Sequence, residues 1–234
     1  MPVISFASPK GGAGKTTAAM ILATELAQNG LGVTVIDCDP RQWSVKWGQG
    51  GNVPKNMSIK PRPTEETIID EIDAAKKNTP FVIVDLEGTS SMLVAFAMTR
   101  SDLVIIPTQA GPMEGESAAD AIKLIKQQEK GMGRKIPFAV LMTRMSAVIR
   151  SKIEKNLTEQ MAGADIPVFS TQLIERNAFK MIFDRQCPLE DLPKSTYKLD
   201  DAIANARSFA GEVVAMFKAQ KQSSEKDTSE GVAA

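Results

Sequence analysis

The 234-residue sequence contains no histidine, two cysteines (Cys38 and Cys187) and a single tyrosine, Tyr197. Without histidine the commonest general base and metal ligand is missing, so any chemistry must run on carboxylates, lysines and backbone amides. Two cysteines argue against a disulfide framework or a cluster of metal-binding thiols, and a reducing compartment is the expectation. No 18-residue apolar run is present, so no membrane-spanning helix is expected. The opening Met-Pro-Val-Ile-Ser-Phe-Ala lacks the basic region and long apolar stretch of a signal peptide; it reads as a strand in a cytoplasmic protein. Net charge is absent as well, because 28 Lys+Arg balance 28 Asp+Glu. The molecule as a whole therefore exerts no strong pull on nucleic acid. The balance is uneven along the chain: residues 121–185 hold twelve Lys and Arg against six Asp and Glu.

What is present is an alternation of short apolar runs with longer amphipathic stretches. Val3–Ala7, Val33–Asp37, Phe81–Asp85, Leu103–Pro107 and Phe138–Thr143 read as buried parallel strands, and Val168-Phe169 is a further candidate. Helices are expected from about Lys15 to Gln28 and over 65–78, 114–130, 146–162 and 198–220. This pattern predicts an α/β fold: one domain over residues 1–222, with a mostly parallel twisted sheet and helices on both faces. Residues 48–63, rich in Gly, Pro and Asn, read as a loop. The small polar stretch 223–234 reads as a disordered tail. No internal repeat is visible.

The first strand runs into Lys10-Gly11-Gly12-Ala13-Gly14-Lys15-Thr16-Thr17, and a helix follows. A strand, a glycine turn and a helix form a phosphate cradle because the first N–H groups of the helix are unpaired and its dipole is positive there. The glycines let the backbone approach the phosphates. In this pattern Lys15 reaches the β- and γ-phosphates and the Thr16 hydroxyl ligates Mg²⁺. Pro9 stands where the common P-loop has its first glycine, and a second lysine, Lys10, opens the loop. With these features the sequence resembles the ParA/MinD family of deviant Walker-A ATPases. Within that family it looks like the small ParA proteins without an N-terminal DNA-binding domain, including the ParF-like partition proteins, over roughly residues 3–215. The resemblance implies a P-loop NTPase fold, ATP and Mg²⁺ as cofactors, and a role for Lys10 across the interface of an ATP-sandwich homodimer. A solvent-facing loop lysine is the plainer alternative for Lys10.

Acids at strand C-termini lie along the ligand edge of such a sheet. Asp37-Cys38-Asp39-Pro40 matches the family's switch I motif. By resemblance Asp39 orients the attacking water and Asp37 supports the magnesium shell, while Asp85 looks like the Walker-B aspartate holding Mg²⁺ through water. The catalytic set implied is Lys10, Lys15 and Asp39, and the metal set Thr16, Asp37 and Asp85. Turn or cap roles remain open for Asp39 and Asp85. The chain departs from the family pattern at Arg41-Gln42 and at Leu86-Glu87-Gly88, where Glu87 is either a catalytic base by analogy or structural. Thr143-Arg144 matches the pair near adenine, and the segment 174–179 resembles the element that closes over the nucleotide. Without an obvious strong base, slow turnover is expected.

On helix 146–162, Arg150, Lys152 and Lys155 lie opposite the apolar positions Ile149, Ile153, Leu157 and Met161. With Arg176 and Lys180 they form a candidate DNA-binding set that tracks phosphates without reading sequence; ordinary solvated helix faces are the alternative. No helix-turn-helix precedes the loop, so specific operator recognition is not expected. The last helix reads as core packing and is too weakly apolar at its end to sit on a membrane. Trp43 and Trp47 either report nucleotide state or pack. The expectation is a partition ATPase of plasmid or nucleoid DNA, stimulated by a ParB-like partner. The alternatives are a ParA-like ATPase that positions a protein cargo and a metabolic ATP-dependent enzyme on the same fold.

Overall fold

The computed structural model describes residues 1–88, 91–146 and 152–230, with the backbone alone for 220–230. The strands are β1 (Val3–Phe6), β2 (Val33–Asp37), β3 (Met57–Lys60), β4 (Phe81–Asp85), β5 (Leu103–Thr108), β6 (Phe138–Met145) and β7 (Leu173–Ile174). The helices are α1 (Lys15–Gln28), α2 (Trp43–Gly48), α3 (Ile68–Asn78), α4 (Met92–Arg100), α5 (Pro112–Met132), α6 (Lys152–Gly163), α7 (Asn177–Arg185) and α8 (Leu199–Glu230). They build one seven-stranded sheet in the order β3-β2-β4-β1-β5-β6-β7. Every neighbouring pair is parallel, as continuous apolar runs covered on both sides require.

Successive strand residues face opposite layers. Ile4, Phe6, Val33, Val35, Ile83 and Leu141 pack with α1, α2, α7 and α8 in one core. Val3, Ile36, Val82, Val84, Val104 and Val140 pack with α3, α4, α5 and α6 in the other. Helix α1 is buried at every residue from Ala18 to Ala27, because α8 covers the side turned away from the sheet. β1 lies between β4 and β5. The chain leaves β1 toward β2 and leaves β4 toward β5, so the carboxyl ends of β1 and β4 form the topological switch point where ligands bind in such sheets.

Several elements differ from the sequence reading. The stretch 48–63 holds the edge strand β3, in which only Met57 is buried, so it carries no apolar run to announce it. Val168 forms a single bridge to Val140, and the next strand is β7. Short helices α2, α4 and α7 occupy segments left unassigned. The last helix reaches Glu230, into the stretch expected to be disordered: an established helix extends by one hydrogen bond per residue, and Glu and Lys permit it. Residues 231–234 lie outside the described residues. Among the described residues, no helix is long and apolar enough to cross a membrane.

Candidate nucleotide site

The glycine loop joins β1 to α1 at the switch point. Gly12 and Gly14 adopt φ of 81° and 93°, backbone that favours glycine. Gly14 also packs against Thr143, whose Oγ1 would lie 3.5 Å from a Cβ placed there. No side chain caps the α1 N-terminus and no acid occupies its first turn, so its N–H groups face outward for an anion. The loop is tied to the strand ends. Ala7 N donates to Ile105 O at 3.0 Å, Gln109 Nε2 to Gly12 O at 2.8 Å, and Thr143 Oγ1 to Ala13 O at 2.8 Å. Thr143, expected near the base, lines an apolar pocket with Arg144 and also supports the phosphate loop through its buried hydroxyl. Arg144 follows at a bulge in β6, with φ of 53°.

Lys15 is 7% exposed and folds back over the loop, its Nζ donating to Ser8 O at 3.2 Å. Burial lowers its pKa from the ordinary lysine value, against the pull of Asp85 and Asp39. Asp85 is fully buried, and its Oδ1 has no hydrogen-bond partner. Its Oδ2 accepts from Ser44 Oγ at 3.5 Å. Burial pushes its pKa up to about 7, with the nearby Thr16 hydroxyl pulling it back. An orphaned buried carboxylate oxygen beside the first turn of α1 is costly without a partner, and a hydrated cation fits it. Among the described residues no cluster of three or more acidic, His or Cys side chains holds a metal by itself. Thr16 and Asp85 are the residues that would hold a Mg²⁺ there, with phosphate and water completing its shell.

Asp37 lies opposite Asp85 in the sheet, but its carboxylate serves the backbone. Oδ2 accepts from Ser44 N at 2.8 Å and Val45 N at 3.1 Å, and Oδ1 from Asp39 N at 3.1 Å. It therefore caps α2 and fixes the turn carrying Asp39, a role the metal assignment did not foresee. Burial raises its pKa, and those amide bonds oppose the shift. Asp39 accepts from Arg41 N at 2.8 Å. It lines a cleft of about 400 Å³ with Gly11, Gly12, Lys15, Glu87 and Gly88. Past Gly14, Thr16 and Thr17 lies a second pocket of about 360 Å³, with an apolar wall of Trp43, Leu173, Ile174, Phe179 and Phe183. One polar and one apolar chamber around a helix N-terminus match the two ends of a nucleoside triphosphate in size and chemistry.

Sequence reasoning missed two contacts. Glu87 is ion-paired to Arg62, at 3.1 Å, and Lys10 is ion-paired to Glu114 of α5. Both partners come from distant segments and no motif flags them. The candidate DNA-binding set is not one surface. Lys152 and Lys155 are exposed on α6, which packs on one face of the sheet, whereas Arg176 and Lys180 are at α7 on the other. Arg176 has only 14% of its side chain exposed, pairs with Asp201 at 3.3 Å and lines the apolar pocket. Lys180 donates to Glu175 at 2.8 Å, and Lys155 lies 3.8 Å from Glu159. Arg150 lies outside the described residues.

The VirC1 protein family matches residues 1–187. A protein named ParA from Rhizobium radiobacter is 36% identical over 218 residues, covering 93% of this chain and 97% of the relative. The chain belongs to the VirC1 family, of the ParA/MinD type. VirC1 itself from Rhizobium radiobacter is 29% identical over 193 residues, covering 79% of this chain and 81% of its own length. Among solved structures, apo McdA from Cyanothece superimposes with a TM-score of 0.73 at 16% identity, over 89% of this chain and 99% of that one. That likeness establishes the parallel-sheet fold of this VirC1-family chain.

Proposed function

We propose that this chain is a slow ATPase of the ParA type that dimerises on ATP, binds DNA without sequence preference and is reset when a ParB-like partner stimulates hydrolysis. The observation that carries this is an uncapped α1 N-terminus and the buried Lys15 at one cleft, with the orphaned Oδ1 of Asp85 buried close to Thr16 and Lys15. In this reading the phosphates lie against residues 11–17 and the base enters the apolar pocket. Thr16 and, through water, Asp85 would hold Mg²⁺, which would supply neutralisation of phosphate charge. Lys15 binds the phosphates and Asp39 orients the attacking water. Lys10 leaves Glu114 to reach the nucleotide of the second protomer, as an arginine finger does in trans. With no histidine and with Glu87 engaged by Arg62, no strong base stands at the cleft among the described residues, which supports a slow turnover. The ATP dimer doubles the exposed lysines of α6 and gains DNA affinity by avidity. A cytoplasmic chain associated with a plasmid or nucleoid follows from this reading.

A second reading keeps the switch and replaces DNA with a protein cargo. It is favoured by the division of the basic residues between two faces and by their ion pairs. Calorimetry with Mg-ATP tests the shared core: absence of binding heat removes both readings. A gel shift with nonspecific DNA then separates them. A shift with ATP but not ADP, lost steeply with salt, supports DNA binding, and its absence at low salt leaves the protein cargo.

A further inference from the structure

Three strand ends meet over the phosphate cleft, and one side chain links them. Arg62 follows β3, at the edge of the sheet. Its Nε donates to Cys38 O at 3.0 Å, just past β2. Its Nη2 donates to Glu87 Oε2 at 3.1 Å, just past β4. Cys38 directly precedes Asp39, and Glu87 directly precedes Gly88. A Cβ on Gly88 would sit 3.4 Å from Lys15 Nζ and 3.7 Å from Gly11 N, so this glycine abuts the phosphate loop. Glu87 has 9% of its side chain exposed and Arg62 has 39%. A planar guanidinium holding a carbonyl and a carboxylate at once is a directional contact, which a lysine reproduces only in part.

We propose that Arg62 and Glu87 are positioning residues: they brace the Asp39 segment against the Gly88 segment and set the hydrolysis step rather than nucleotide binding. This rests on the ATPase reading of the same cleft. Neither side chain needs to touch the reacting atoms. Asp39 must sit within a fraction of an ångström of its productive place, and a misplacement near 1 Å costs on the order of a hundredfold in rate. Nucleotide binding depends instead on the loop amides and Lys15, to which Arg62 and Glu87 make no hydrogen bond.

The test compares wild type, Arg62→Ala, Arg62→Lys, Glu87→Gln and the Arg62→Ala/Glu87→Gln double variant by Mg-ATP affinity, single-turnover hydrolysis and thermal midpoint. Arg62→Ala is expected to slow hydrolysis by roughly tenfold or more with affinity within about twofold of wild type. Arg62→Lys should recover part of the rate, and the double variant should be no slower than the worse single one, because both break one contact. An unchanged rate in Arg62→Ala, additive single effects, or a rate loss matched by lost affinity or a lowered midpoint each overturns the brace. A wild-type chain that binds Mg-ATP without turnover removes the ATPase reading and the brace's role together. A wild-type chain with turnover that Arg62→Ala leaves intact overturns the brace alone.

Discussion

Replacing Glu25 by glutamine should stabilise the protein in alkaline solution and leave it unchanged in acid. Glu25 lies in the last turn of α1, 1% exposed, and neither carboxylate oxygen has a hydrogen-bond partner. The groups facing it are Glu190, from the turn Leu189–Asp191, and Arg207 of α8, whose Nε is 3.8 Å from Glu25 Oε2. Burial first, then the charge of Glu190, push the Glu25 pKa from 4.5 to about 7, with Arg207 pulling the other way. A carboxylate near the negative end of a helix dipole adds to the disfavour. Because the folded pKa is the higher one, stability is fully present below the unfolded value near 4.5 and is lost as pH rises through about 7. The full shift corresponds to about 3 kcal/mol. Arg207 is 62% exposed and admits water, so screening reduces this to about 2 kcal/mol. Glutamine cannot ionise, so Glu25→Gln should melt about 4–8 °C above wild type at pH 8.5 and within a degree or so at pH 4, below the unfolded value. Circular-dichroism melts at the two pH values measure this. An equal offset at both, or a lower midpoint for the variant at pH 8.5, refutes the reasoning.

Three further outcomes are expected. Gly14→Ala forces a side chain into backbone at φ 93° against Thr143 and should cut Mg-ATP affinity by at least an order of magnitude, read by calorimetry; near-wild-type affinity would contradict the assigned loop geometry. Glu114→Gln removes the charged partner of Lys10 and should shift ATP-dependent dimerisation to lower protein concentration in sedimentation, while Lys10→Ala should bind ATP yet stay monomeric; a dimer that forms equally well in both excludes that part for Lys10. Trp43 is 48% exposed and Trp47 1%, and Trp43 lines both chambers. Nucleotide should therefore change the emission of the Trp47→Phe variant and not that of Trp43→Phe, and the opposite pattern would place the nucleotide elsewhere.

The legible parts of this chain are those whose physics is local. β1, β2, β4, β5 and β6 announce themselves because strands buried on both faces must be continuously apolar, and the glycine loop does so because its backbone tolerates few residues. β3 stays silent because an edge strand with one buried residue needs no such run. Asp85 stands at a strand end as the apolar run before it predicts, and its Oδ1 is buried without a hydrogen-bond partner. Asp37 occupies the same place in the register, and the backbone of α2 donates to its carboxylate.

Summing charge along the chain misleads for a related reason. Residues 121–185 are basic as a stretch, yet α6 and α7 pack on opposite faces of the sheet, and acids pair with several of the lysines and arginines that remain. A phosphate backbone meets a face, not a stretch of sequence. The contacts that tune the cleft are of the same non-local kind. Arg62 meets Glu87 across 25 residues and Lys10 meets Glu114 across 104, joined only because the sheet order brings the ends of β3, β2 and β4, and of β1 and β5, together. The motif marks the glycine loop, and the strand order decides which side chains hold the residues around it.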